Sequence, residues 1–145
     1  MKSFDDERLG TSYQALRVTY ILVPLLAGLD KFTNLLTTWS HYLSPAFARM
    51  IPMSPRSFMY LVGIVEIVAG LLVVSRRTAR VGAYIVMAWL LCIAINLLTI
   101  RMFDIAVRDV AMAVGAFALA RFEEVRSGAM GRVRAVRTPA GATTY

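Results

Sequence analysis

Apolar residues along the chain gather into four runs, which are separated by polar and charged segments. The runs occupy about residues 15–31, 57–74, 81–100 and 104–122. Each run is close to the roughly 20 residues that an α-helix needs to cross the hydrocarbon core of a bilayer. The pattern predicts an all-α fold, an integral membrane four-helix bundle that forms one domain over residues 15–122.

The segment between the first and second runs, residues 32–56, mixes apolar, aromatic and polar residues and includes three prolines. Several of its apolar residues fall at helical spacing: Leu35, Leu36, Trp39, Tyr42 and Leu43. We therefore expect an interfacial helical segment of one or two short helices, with Trp39 and Tyr42 at the level of the lipid headgroups. An irregular loop is the alternative.

The two ends of the chain are polar. Residues 1–14 lack the apolar core and cleavage site of a secretory signal, and residues 123–145 form a basic tail whose last residues, TPAGATTY, are expected to be unstructured. Four spans place both ends on the same side of the membrane. The basic residues are concentrated in the two ends and in the turn between the second and third spans, so we expect both termini in the cytoplasm.

The composition excludes several classes of protein. Hydrophobic residues make up 58% of the chain and charged residues 17%, whereas an ordinary soluble domain is about 45–50% apolar and about 25% charged. The net charge of +7 lies at the ends of apolar runs, which indicates binding to lipid headgroups rather than to nucleic acid. The arginines expected at headgroups are Arg76, Arg77, Arg80, Arg121 and Arg126.

The sequence contains few residues that could bind a metal or take part in redox chemistry. One cysteine, Cys92, and one histidine, His41, exclude a disulfide, a CxxC site and a bis-histidine haem within one chain. We expect Cys92 to pack among apolar neighbours, and His41 either to touch headgroups or to bind a pigment held outside the bundle. No nucleotide loop or HExxH motif is present, so we assign no catalytic residue, no metal site and no cofactor of its own.

The predicted topology brings the polar residues of the spans together near the outer side of the membrane. Glu66 lies about nine residues into its span, or about 13 Å along the helix. The predicted cluster consists of Lys31, Glu66, Asn96, Arg108 and Asp109. Gly63 and Gly70 share a helix face with Glu66, and small residues mark close helix contacts, so Glu66 should face the bundle.

A charge at this depth costs about 2.5–3.5 kcal/mol unless it is paired or neutralised. We expect Arg108 to pair with Glu66, because it is nearer in depth than Lys31 and can bond a carboxylate in two places; a protonated Glu66 is the alternative. The cluster is either a site for a quinone, another ligand or protons, or a network of structural ion pairs that fixes helix register.

Several short motifs in this order resemble the DoxX-like family of small four-helix bacterial membrane proteins. They are GLDKF at the end of the first span, GIVEIVAGLLVV in the second, RRTAR after it, and IAVRDVAMAVGAFALA in the fourth. The resemblance implies a bundle over residues 15–122 in the bacterial inner membrane, with functional polar positions at Lys31, Glu66, Arg108 and Asp109. The family name comes from a membrane subunit of a thiosulfate:quinone oxidoreductase. Because residues 32–56 exceed the loop expected of a minimal member, Trp39, His41 and Tyr42 become candidates for partner binding.

Three functions remain open at this point. The first is an accessory subunit of a larger respiratory or photosynthetic electron-transfer complex, which holds lipid or quinone and docks other membrane subunits. The second is the membrane anchor of a quinone-linked oxidoreductase, with the quinone near Glu66 and Arg108. The third is a small oligomeric transporter. In each case we expect the chain not to be catalytic on its own.

Overall fold

The computed structural model of the protein describes residues 7–137, and the start of the polar N-terminal segment and the segment TPAGATTY lie outside this range. The described residues form five α-helices and one short 3₁₀ helix, and no strand occurs among them. The elements are α1 (Glu7–Thr33), the 3₁₀ helix (Trp39–Tyr42), α2 (Pro45–Met50), α3 (Pro55–Val74), α4 (Ala79–Thr99) and α5 (Phe103–Arg137). The predicted all-α fold is confirmed.

Two of the helices in the described range, α3 and α4, are long and apolar enough to cross a bilayer by length and composition. Both α1 and α5 continue beyond the apolar runs, from Glu7 and to Arg137 respectively. The extension of α5 is rich in Ala, Arg and Glu, which favour helix, and no proline occurs in the sequence there before Pro139. The helices therefore lengthen into the predicted polar end segments.

Consecutive long helices run antiparallel. Gly28 of α1 lies against Gly63 of α3, whereas Arg17, nearer the start of α1, reaches Val74 at the end of α3. The same reversal relates α1 to α5, α3 to α4 and α4 to α5. One end of this packing carries residues 34–54 and is called the loop end; the other carries the start of α1 and the end of α3 and is called the terminal end.

Close packing of α1 on α3 depends on glycine. A Cβ atom placed on Gly63 would lie 2.7 Å from the carbonyl oxygen of Gly28, and the reverse distance is also 2.7 Å. Gly70 faces the backbone of Ile21 in the same interface. The prediction from spacing is confirmed, because Gly63 and Gly70 mark the contact and Glu66, on the same face, is buried.

A network of polar side chains closes the terminal end, and no sequence pattern predicted it. The hydroxyl of Tyr13 donates to Glu123 Oε1 at 2.5 Å, and Arg17 donates to the Tyr13 hydroxyl at 3.1 Å. Arg17 also donates to the carbonyl of Val74 at 2.7 Å. It thereby satisfies an acceptor that the end of α3 would otherwise leave free.

The five arginines expected at headgroups differ in their surroundings. Arg76, Arg77 and Arg80, in the turn before and at the start of α4, are exposed. Arg121 is exposed but pairs with Glu124, and Arg126 lies 4.3 Å from the centre of the Tyr13 ring.

The segment at the loop end contains both short helices and irregular loop, the two alternatives considered from the sequence. Asn34 adopts a left-handed conformation with φ of 53° just after α1, and Leu35 and Leu36 lie outside any helix. Helix then resumes in short pieces, because Ser44 and Ser54 each accept a hydrogen bond from the first turn of a helix that starts with proline. The segment folds back over the helices instead of extending away from them.

Candidate functional site

A buried ion pair joins α1 to α3 near the loop end. Lys31 Nζ lies 2.6 Å from Glu66 Oε2, and both residues are about 95% buried. The expected pairing of Glu66 with Arg108 is therefore wrong. Side chains lean toward the N-terminus of their own helix. In antiparallel helices Lys31 and Glu66 thus lean toward each other, and they meet beside the contact of Gly28 with Gly63.

Arg108 pairs instead with its neighbour in sequence. Its guanidinium lies 3.2 Å from Asp109 Oδ1. The Asp109 carboxylate is buried, whereas 64% of the Arg108 side chain is exposed. The predicted polar cluster is therefore two ion pairs, one enclosed and one at the surface.

Trp39 and Asp30 make further contacts around Lys31, which sequence reasoning missed. The Trp39 ring lies over the ammonium group of Lys31, 3.6 Å from Nζ to the ring centre. Its indole N–H donates to Asp30 Oδ2 at 2.7 Å, and Asp30 Oδ1 accepts the backbone N–H of Leu35 at 2.8 Å. Trp39 therefore faces the protein interior, and Asp30 ties the start of the segment to α1.

Asn96 is set apart from the two ion pairs. Its side-chain amide donates to the carbonyl of Tyr42 at 2.6 Å and accepts the N–H of Ser44 at 3.0 Å. Asn96 thus holds the middle of the segment against α4 by two hydrogen bonds. His41, which precedes Tyr42, is exposed.

We expect Asp30→Ala to loosen the start of the segment, because the backbone N–H groups of Leu35 and Leu36 lose their acceptor. Hydrogen exchange at these two amides should then be at least about tenfold faster, as a lost hydrogen bond to a charged group is worth about 1.5–3 kcal/mol. The matched control is Asp104→Ala, at the start of α5. Unchanged exchange in Asp30→Ala would show that Asp30 does not hold the segment.

A cavity of about 600 Å³ opens beneath the segment, between α1, α3, α4 and α5. Such a volume is within the range of small-molecule sites. Its walls are largely apolar, and its polar end is formed by Lys31, Glu66, Arg108 and Asp109. Cys92 lines the same largely apolar wall but is exposed there and not buried by helix packing.

Trp89 brings an unused hydrogen-bond donor to the same cavity. Its indole N–H approaches the Glu66 carboxylate. The nitrogen is buried but has no partner with hydrogen-bond geometry among the described residues. A buried donor without a partner costs about 1–3 kcal/mol, so a ligand that offers an acceptor here would gain from meeting it. The sequence places Trp89 on the helix face of Asn96, and that spacing was the only available signal.

Metal binding has no obvious place in the described range, which contains no group of three or more His, Cys, Asp or Glu side chains suited to hold an ion. The acids of the site are instead occupied by Lys31, Arg108 and Trp39.

Comparison with known proteins bears on the family alone. No curated protein and no solved structure matches the sequence. The DoxX family model matches residues 13–100, a stretch that runs from α1 to the end of α4 and holds both glycines of the close contact, the Lys31–Glu66 pair and Trp89. Because the match covers more than half of the chain, the protein belongs to the DoxX family of membrane proteins.

Proposed function

We propose that the chain is a multi-pass subunit of a membrane electron-transfer assembly and that its cavity holds a quinone. In this proposal α1, α3, α4 and α5 cross the bacterial inner membrane as a four-helix bundle, with both termini in the cytoplasm. The apolar exposed faces of these helices support the spanning arrangement. The exposed arginines Arg76, Arg77 and Arg80 at the terminal end support the orientation.

The choice of a quinone as ligand rests on the balance of charge at the polar end of the cavity. Two cationic and two anionic side chains line it, and each cation already pairs with an acid. A phosphate headgroup would need a free cation and would be repelled by Glu66 and Asp109. A neutral headgroup meets no such barrier, which favours a quinone over a phospholipid.

The remaining features of the cavity match a quinone ring. Its carbonyl oxygens are acceptors, and the Trp89 N–H, which approaches Glu66 without hydrogen-bond geometry, is a donor in the wall. When bound, a quinone would carry electrons and protons, while a partner subunit would supply the electron donor. The chain itself would hold the ring, shield it from lipid and place it beside the Glu66 and Asp109 carboxylates.

Tryptophan fluorescence gives a direct test, since the chain has two tryptophans and both line the cavity. A decyl-substituted benzoquinone titrated into liposomes containing the protein should quench this fluorescence along a saturable curve. Quenching that rises linearly without saturation, as for collisions in the bilayer, would overturn the proposal.

The Trp89→Phe variant tests the role of the unpaired donor. We expect quinone affinity to fall about twofold to twelvefold, because one neutral hydrogen bond is worth about 0.5–1.5 kcal/mol. Trp39 remains as the fluorescent reporter. Tyr84→Phe is the matched control, because the Tyr84 hydroxyl bonds Glu124 away from the cavity. Equal affinities in the two variants would contradict the assigned role.

One observation favours docking of a second membrane subunit at the loop end. The side chains of Leu35 and Leu36 are 84% and 74% exposed, and Met50 is 80% exposed. Large apolar side chains grouped in this way are typical of interaction sites. The double substitution Leu35→Ser and Leu36→Ser should remove co-purifying subunits without lowering the melting temperature, and their retention would exclude this surface.

A further inference from the structure

The two edge helices of the packing, α1 and α5, touch at the terminal end and in the middle of the protein. Tyr13 of α1 bonds Glu123 and packs against Phe122 of α5. Nearer the loop end, the Tyr20 hydroxyl bonds the carbonyl of Met112 and fills the space over Gly115. These contacts close the α1–α5 seam up to the level of Tyr20.

Beyond Tyr20 the seam opens. Arg108 lies on the same face of α5 as Met112 and Gly115, one turn nearer the loop end, yet it bonds only Asp109 among the described residues. On the α1 side the next residues are Val23 and Ala27. Both line the cavity, and Val23 is 38% exposed. Val23 and Arg108, on the two edges of the gap, thus each line the cavity and are also exposed on the outer surface.

We propose that this gap is the entrance of the cavity and that a long apolar tail of the ligand lies in it, a proposal that rests on the quinone function above. The gap faces the bilayer wherever α1 and α5 span it. A quinone dissolved in the membrane then enters sideways, with its ring toward Glu66 and Trp89 and its tail between Val23 and Arg108.

The chemistry of the two edges fits a tailed ligand. Val23 and Ala27 offer apolar surface, and Met112 and Ile105 offer it from α5. The Arg108 side chain can lay its aliphatic stem along a tail while its guanidinium stays near the headgroup region. The site therefore selects ligands by their tail as well as by their ring, and a soluble ring alone should bind more weakly.

A large side chain placed in the gap separates the contribution of the tail to binding from that of the ring. We compare Val23→Trp with Leu29→Trp, a matched control because Leu29 is an exposed residue of α1 that is not part of the cavity wall. Two probes are used, a benzoquinone with a decyl tail and the same ring without the tail. Binding is measured by equilibrium partition of each radiolabelled probe into liposomes with and without protein, so that the added tryptophan does not affect the readout.

Val23→Trp should bind the decyl probe about tenfold more weakly than wild type, which corresponds to the lost contact of about two methylene groups. The affinity of Val23→Trp for the ring without the tail should equal that of wild type. Leu29→Trp should match wild type for both probes. An equal loss for both probes, or no loss for either, would overturn the tail entrance. Wild type that binds neither probe would overturn the quinone function itself. A smaller variant, Val23→Ala, keeps the test independent of folding and should bind the decyl probe more tightly than Val23→Trp does, because it leaves the gap open.

Discussion

Lys31→Met should lower the free energy of unfolding by about 3–5 kcal/mol, the largest effect of any single substitution considered for this chain. The change leaves the Glu66 carboxylate buried with no cation beside it, and an uncompensated buried charge carries a cost of this size. The Trp39 ring loses its ammonium partner in the same step. Reversible unfolding in mixed detergent micelles measures the loss.

Two further variants identify the cause. The double variant Lys31→Met with Glu66→Met should regain most of the lost stability, because apolar side chains of similar volume replace a buried ion pair at little or no net cost. Arg121→Met should cost about 1 kcal/mol or less, since neither Arg121 nor its partner Glu124 is buried. Equal losses in Lys31→Met and Arg121→Met would mean that burial of the pair does not govern stability.

Gly63→Ala should lower stability by about 1–3 kcal/mol, the range found for overpacked cores. A new Cβ atom would lie 2.7 Å from the Gly28 carbonyl oxygen, and because this atom belongs to the backbone the two helices must separate. Separation would also lengthen the Lys31–Glu66 pair, which lies beside the contact. The loss is measured by the same unfolding experiment.

Gly10→Ala supplies the matched control for this substitution. Gly10 also lies in a helix, but a Cβ placed there has no atom within 4 Å. We expect it to be neutral or to stabilise by up to about 1 kcal/mol, through helix propensity alone. If Gly63→Ala behaved like Gly10→Ala, the close approach of α1 to α3 would not be needed for the fold.

Glu66 was predictable from the sequence in its orientation but not in its partner. Its inward orientation was predictable because Gly63 and Gly70 lie at helical spacing from it and mark the helix contact. Its partner was not, since the prediction compared depths along the membrane and ignored the direction in which side chains lean. Lys31 is farther away along the bundle, but its long side chain reaches back toward the start of α1 and closes that distance.

The loop end shows a different limit of sequence reasoning. Trp39 and Tyr42 have the spacing of an interfacial helix, which predicted that they lie at the level of the lipid headgroups. The segment instead turns inward, because Asp30 accepts its first backbone N–H groups and Asn96 binds both Tyr42 and Ser44. The Asn96 contacts join residues more than 50 positions apart and the Asp30 contacts close a turn, so neither leaves a periodic pattern. The cavity that the segment covers leaves none either.

Identification of the molecule that the protein carries in its own membrane tests the quinone proposal most directly. The chain is purified in polymer-bounded particles of native membrane, and solvent extracts are analysed for quinone and phospholipid by mass spectrometry. Ala27→Phe, which places a ring in the cavity wall, is purified in parallel. The proposal predicts a higher ratio of quinone to phospholipid in wild type than in Ala27→Phe. The same ratio in both, equal to that of the surrounding membrane, would contradict it.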